Sequence, residues 1–274
     1  MASPLGLDAV RQALVEDSAR ADVTTRLLGA AADVRVSGRF IAERDCVVAG
    51  LPIVALVFTE LESGATLQAG VAEGDCAGAG TSLATVTAAA RTLLAGERVA
   101  LNFLQRLSGI ATLTRRLVDA VAGTGARITH TRKTTPGLRD LERYAVRVGG
   151  GVDNRGSLAE AVMWKDNHWT LRVSLKDALA RVPKGMPVVV EVETDAQLAE
   201  ALAAGVTHIL ADNQPPAVIA QWVRRAGPAV TIQASGGITA ETAAAYARAG
   251  AQLISVGALT HAAPAAAIGF ELVA

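Results

Sequence analysis

The sequence predicts an α/β protein in two parts, and three observations carry that reading. From about Ala126 onward, short apolar runs alternate with helical patterns, six βα-type units in all. Several of those helical patterns close on glycine: Gly149 after Val148, Gly205 after Ala204 and Gly250 after Ala249. The residues before the array read differently, as an α+β segment of short strands separated by Gly and Asp turns. A chain of 274 residues with 51% hydrophobic side chains has the material for one large domain or two modest ones, each with a buried core.

In the first part, Val34, Val36 and Phe40 sit in a stretch of period two, which predicts a strand, and Leu51–Leu61 reads as a buried helix. Leu67–Val86 reads as short strands. A long amphipathic helix, Arg91 to Ile110, joins the parts; Val99, Phe103, Leu107 and Ile110 mark its apolar face, and Arg98, Asn102 and Arg106 another. In the second part the expected strands are Arg127–Thr131, Ala161–Lys165, Pro187–Glu193, Thr207–Asp212, Ala229–Ala234 and Ala251–Val256. The helices between them are Leu138–Val148, Leu175–Val182, Ala196–Ala204, Pro216–Ala226 and Ala240–Ala249. The run Val188-Val189-Val190 reads as buried on both faces, as a parallel sheet with helical crossovers requires. Spacing alone leaves open whether the array closes as a barrel or lies as a doubly wound sheet.

Composition removes several functional classes. Lys plus Arg and Asp plus Glu both number 26, so no global electrostatic grip on nucleic acid is expected, and three Trp, two Tyr and four Phe make no stacking platform. Cys46 and Cys76 are too few for a disulfide scaffold, and the four histidines (130, 168, 208 and 261) form no metal-ligand spacing. No apolar run approaches the about 18 residues of a membrane span, and Met1–Glu16 lacks a basic start followed by an apolar stretch. A cytoplasmic enzyme or binding protein, with neither membrane nor nucleic acid as partner, is the expectation.

In parallel α/β architectures ligands bind beyond the carboxyl ends of the strands. Those ends carry Arg132 and Lys133, then Lys165-Asp166-Asn167, Glu193, Asp212-Asn213, Ser235-Gly236-Gly237 and Gly257-Ala258. Arg132, Lys133 and Lys165, with Arg155 from the loop after Gly149, form a cationic group suited to carboxylates or phosphates. Glu193 and Asp212 form an acidic pair able to hold Mg²⁺ or ribose hydroxyls. Ser235-Gly236-Gly237 opens a helix and offers backbone N–H groups to a phosphate. Taken singly, each feature reads as an ordinary turn, a solvated strand end or a surface charge; their recurrence at successive strand ends predicts a site for an anionic, phosphate-bearing substrate.

These residues resemble a known family. Thr131-Arg132-Lys133-Thr134-Thr135-Pro136-Gly137-Leu138-Arg139, Tyr144–Gly151 and Lys165-Asp166-Asn167-His168 resemble quinolinate phosphoribosyltransferase, a type II phosphoribosyltransferase. Asp22-Val23-Thr24-Thr25, Leu107–Thr112, Ser235-Gly236-Gly237 and Gly257–His261 fit as well. The resemblance implies an incomplete α/β (TIM-like) barrel over 98–263 and an N-terminal α/β sandwich over 1–97, completed by 264–274. It implies transfer of phosphoribosyl from phosphoribosyl pyrophosphate to quinolinate with decarboxylation, assisted by Mg²⁺. Arg132, Asn154, Arg155 and Lys165 would then hold quinolinate, with Arg98 contributed by the neighbouring subunit of a homodimer or higher homo-oligomer with shared sites. Lys133, Glu193 and Asp212 would serve the ribose and pyrophosphate, with Glu193 and Asp212 as metal ligands, and Ser235, Gly236, Gly237 and Gly257 the 5′-phosphate.

The chain departs from the family's usual pattern in three places. Asp153-Asn154-Arg155 stands for Asn-His-Arg, His130 for the Asp before T-R-K, and Gln233 for a Glu two positions before S-G-G. Two further readings therefore stay open: a diverged paralogue acting on another aromatic acid, and a catalytically weak anion- or nucleotide-binding protein.

Overall fold

Apolar periodicity and glycine placement build the first of two compact units. The computed structural model describes residues 4–273. This unit comprises the chain through Arg115, Thr134–Gly150 and the segment from Ala262 onward. Helix α1 (Leu7–Glu16) precedes strand β1 (Arg35–Ala42) and a short β2 (Cys46–Val47). Helix α2 (Leu51–Leu61) follows, then β3 (Thr66–Ala69), β4 (Cys76–Ala77) and β5 (Ser82–Ala89). Strand β1 alternates in burial toward its end, with Gly38, Phe40 and Ala42 inward. It lies between β5 and the C-terminal strand β12 (Ile268–Val273) in an antiparallel sheet ordered β12-β1-β5-β3. Phe40 faces Phe270 across the ladder, ring centroids 4.9 Å apart, and meets Phe58 of α2 at 6.2 Å. The Phe270 ring covers Gly38, where a Cβ would fall 2.1 Å from it, so only glycine fits.

The long helix is α3 (Ala90–Ala120), which runs well beyond the Ile110 end that its apolar face suggested. Helix α4 (Arg139–Val148), read in the sequence as one of the barrel crossovers, belongs to the first unit instead. Its Glu142 is fully buried and accepts from Arg106 Nη2 of α3 at 2.8 Å, from Thr135 N at 3.0 Å and from Thr135 Oγ1 at 2.8 Å. Four hydrogen-bonding groups on one carboxylate offset its removal from water, and they tie α4 and its preceding loop to α3.

The second unit spans Arg116–Lys133 and Gly151–His261. Its strands are β6 (Arg127–Thr129), β7 (Val162–Trp164), β8 (Val188–Val192), β9 (His208–Asp212), β10 (Thr231–Ser235) and β11 (Leu253–Ser255). They form one parallel sheet ordered β6-β11-β10-β9-β8-β7. Between β7 and β8 lie two short helices, α5 (Asp166–Thr170) and α6 (Leu175–Leu179). Helices α7 (Asp195–Ala203), α8 (Pro216–Ala226) and α9 (Ala240–Arg248) follow successive strands, and α10 (Ala258–His261) follows the last. Each of the three crossovers places apolar residues inward: Leu198 and Ala201, Ile219 and Trp222, Ala243 and Ala247. The fold is an incomplete α/β barrel accompanied by a separate N-terminal domain. Among the described residues no helix is long and apolar enough to cross a membrane.

Candidate active site

Side chains two apart on a strand face the same side, and the parallel ladders align neighbouring strands. Glu191 lies in register with Leu210, Asp212 with Ser235, and Ser235 with Ser255. All five line one cavity of about 480 Å³ at the carboxyl ends of the strands, together with Thr131, Arg132, Lys133, Asn154, Arg155, Met163, Lys165 and Asp166. Four cations and three carboxylates converge there from four different strand ends and one loop.

Local chemistry fixes the cationic side. Lys165 precedes α5, where its backbone N–H donates to His168 Nδ1 at 3.0 Å, and Trp169 Nε1 donates to the Glu191 carbonyl at 2.9 Å. The Lys-Asp-Asn-His turn is thereby anchored to β8. The Lys165 ammonium pairs with the Glu191 carboxylate, which is 6% exposed. A charge that deep needs its partner. Arg155 donates from Nη1 to the Ala161 carbonyl at 3.2 Å. Burial lowers its pKa first and the neighbouring Arg132 guanidinium second, with Glu191 opposing both, as befits two guanidinium groups placed close together.

The wall behind them is polar. His130 is 1% exposed, and its Nε2 lies 3.2 Å from both Asp153 Oδ1 and the backbone N of Asn154. Asn154 donates from Nδ2 to the His130 carbonyl at 3.2 Å, and its Oδ1 accepts the Arg155 N–H at 2.8 Å. Asn154 thus ties the Arg155 backbone to the barrel wall.

The glycines of the other rim are required by geometry. Gly236 (φ +102°) and Gly237 (φ +59°) are left-handed, and a Cβ on Gly236 would sit 2.1 Å from Asn213 Oδ1. They carry the chain from Ser235 into α9. A Cβ on Gly257 would meet Lys133 Cδ at 3.3 Å, so Gly257 gives room to the Lys133 stem.

Comparison with known proteins decides which chemistry this arrangement belongs to. The family model described as quinolinate phosphoribosyl transferase, C-terminal domain, matches residues 110–271, and the corresponding N-terminal domain matches 22–108. The chain belongs to the quinolinate phosphoribosyl transferase family. It is 42% identical to the nicotinate-nucleotide pyrophosphorylase [carboxylating] of Mycobacterium leprae, over 97% of this chain and 96% of the relative. It is 40% identical to a probable enzyme of that name from Synechocystis, over 90% and 85% of the two chains. Among solved structures, NadC from Streptococcus pyogenes superposes with a TM-score of 0.92 at 35% identity, covering 100% of this chain and 99% of that one. The nicotinate-nucleotide pyrophosphorylase of Ehrlichia chaffeensis superposes equally, at 0.92 and 32% identity, with both chains covered entirely.

Within this phosphoribosyl transferase chain, seven of the sequence-predicted residues line the cavity: Arg132, Lys133, Asn154, Arg155, Lys165, Asp212 and Ser235. Gly236, Gly237 and Gly257 shape its rim without lining it, and Arg98 is exposed on α3, in the first unit. Glu193 is exposed, one residue past the end of β8, and does not line the cavity. The carboxylate that β8 directs into the cavity is Glu191, two residues earlier on the same side of the strand. A signal for it stood in the sequence: one charge inside the apolar run Val188–Val192, where an unpaired carboxylate could not be buried. Ser255 and Met163, also missed, look like ordinary strand residues and carry no such signal.

Proposed function

We propose that the protein transfers the phosphoribosyl group of phosphoribosyl pyrophosphate to the ring nitrogen of quinolinate, releasing pyrophosphate and CO₂ and leaving nicotinate mononucleotide. The observation that carries this reading is the one cavity lined by Arg132, Arg155 and Lys165 together with Glu191 and Asp212, and by Lys133 and Ser235. Two adjacent ring carboxylates require clustered cations, and guanidinium groups bind them in bidentate fashion. Arg132, Arg155 and Lys165 fill that role, with Asn154 holding Arg155 in place.

The ring nitrogen attacks the anomeric carbon as the bond to pyrophosphate breaks, through a state with positive charge on the ribose. Carboxylates stabilise such charge, and Glu191 and Asp212, beside Asp166, supply them in the cavity. The ring nitrogen, now quaternary and positive, stabilises the carbanion left on the ring carbon when the 2-carboxylate departs as CO₂, and a proton then completes that carbon. Lys133 and the Ser235-Gly236-Gly237 turn serve the phosphates.

Among the described residues no three His, Cys, Asp or Glu side chains gather as a metal cage. A cavity carboxylate such as Asp212 suits Mg²⁺, which keeps several waters and takes one or two carboxylates plus substrate phosphates. Asp212 would hold it, with Asp166 also lining the cavity, since Glu191 is engaged by Lys165 and Glu193 stands outside the cavity. When bound, the ion neutralises charge building on the leaving pyrophosphate. In this reading the enzyme is a cytoplasmic homodimer or higher homo-oligomer, with Arg98 of one protomer completing its partner's site. Incubation with quinolinate, phosphoribosyl pyrophosphate and Mg²⁺, with products separated chromatographically, tests the reading: nicotinate mononucleotide supports it, and binding of both substrates without product overturns it.

A further inference from the structure

Beneath the cavity floor, three polar side chains on adjacent strands form a chain that leads to the substrate. His208 of β9 places Nε2 2.6 Å from Gln233 Oε1 of β10, and Gln233 Nε2 donates to Ser255 Oγ of β11. Gln233 is 1% exposed and Ser255 4%, yet Ser255 lines the cavity. The amide oxygen only accepts, so the contact uses a hydrogen on His208 Nε2. With its oxygen engaged by the histidine, the Gln233 amide presents only N–H to Ser255. A hydroxyl that accepts from below has its own hydrogen left over, and the open side of Ser255 is the cavity.

We propose that Gln233 is a positioning residue that turns the Ser255 hydroxyl into a hydrogen-bond donor toward a phosphate oxygen of the phosphoribosyl substrate. The inference rests on the functional reading above. The strand order favours the phosphoribosyl substrate: β11 lies between β10, whose Ser235 is in register with Ser255, and β6, which leads to Arg132 and Lys133, whereas Lys165, just past β7, and Glu191 of β8 lie toward the opposite end of the sheet. Gly257, two residues past Ser255, lies beside the Lys133 stem. Ser255 therefore stands with the phosphate-binding groups and apart from the Lys165 side. Were residue 233 a carboxylate, it would only accept, and the serine hydrogen would turn down toward it.

The test is the dissociation constant of ribose 5-phosphate, measured by calorimetry on the full-length protein, beside the KM for each substrate. Ser255→Ala and Gln233→Glu should each weaken ribose 5-phosphate binding about tenfold, the loss of one hydrogen bond to a charged group, and leave the KM for quinolinate within about twofold. Combined, they should bind about as weakly as either alone. Gln233→Met, which brings no charge, should weaken binding about threefold, and not at all in combination with Ser255→Ala. A further tenfold loss from Gln233→Glu on top of Ser255→Ala would mean plain charge repulsion and overturn the proposal, as would normal binding by Gln233→Glu or no binding by the unmodified protein. Ribose 5-phosphate binding without turnover of quinolinate would refute the catalytic reading alone, and the dissociation constants would still decide this inference.

Discussion

His130 and Asp153, each a departure from the family's usual residue, face each other across the barrel wall, Nε2 to Oδ1 3.2 Å. The histidine is thus engaged in the wall, its Nε2 also lying 3.2 Å from the backbone N of Asn154. The changes at 130, 153 and 154 form one rearranged contact that seats Arg155. A double-mutant cycle on His130→Ala and Asp153→Ala should give a coupling of about 0.5–1 kcal/mol in unfolding free energy, kept small because Asp153 is half-exposed. Asn154→Ala should raise the KM for quinolinate about tenfold with kcat nearly unchanged, because the latch on Arg155 is lost. Additive stabilities in the cycle, or an unchanged KM, would separate this cluster from the site.

Glu191 and Glu193 should behave oppositely. Removing the buried Glu191 leaves Lys165 without its partner and a forming cation without its carboxylate, so Glu191→Ala should lower kcat about a hundredfold. Glu193→Ala, altering an exposed side chain outside the cavity, should stay within about threefold of the unmodified protein. Steady-state kinetics of the two variants side by side decides between them, and the reverse order would place the cavity's working acid at Glu193.

Arg98 offers a test of the shared site. It is exposed on α3, and the resemblance assigns it to the neighbouring subunit's quinolinate. Arg98→Ala and Lys133→Ala should each be inactive, and mixing them under conditions of subunit exchange should restore up to about a quarter of the activity, since random pairing leaves one intact site in half of the dimers. No recovery after exchange is verified by mass spectrometry would confine each site to one chain.

Stability should fall with acid through a histidine. Burial lowers the His208 pKa, the Gln233 contact opposing it, so the folded chain binds fewer protons than the unfolded chain in this range. The contribution is fully present above the ordinary value of about 6.5 and is lost as pH falls from there toward the folded value. Urea denaturation at pH 7.5 and 5.5 should therefore show a smaller drop for His208→Gln than for the unmodified protein. An equal drop would show that His208 does not contribute.

Much of this was legible because it is local. Glycine closures and apolar runs predict the barrel strands to within a few residues, and Leu51–Leu61 and Pro216–Ala226 are helices over the expected residues. Strand ends gave most of the cavity, since a parallel sheet sends its polar termini to one side. What stayed hidden depends on contacts between distant segments. Helix α4 looks like a barrel crossover until Glu142 is seen holding Arg106, and α3 continues to Ala120 because its last turns also bury Leu117. Gly109, part of the Leu-Ser-Gly-Ile motif, is explained only by its neighbour: a Cβ there would lie 2.0 Å from the Pro264 carbonyl oxygen.

The central claim is tested most directly by kcat/KM across a panel of ring acids (quinolinate, nicotinate, picolinate and phthalate) at saturating phosphoribosyl pyrophosphate and Mg²⁺, with CO₂ and pyrophosphate followed together. The account predicts that quinolinate is preferred at least about a hundredfold, because each missing carboxylate leaves cavity cations unanswered, and that one CO₂ appears per pyrophosphate. Preference for another acid, or pyrophosphate release without CO₂, would contradict it.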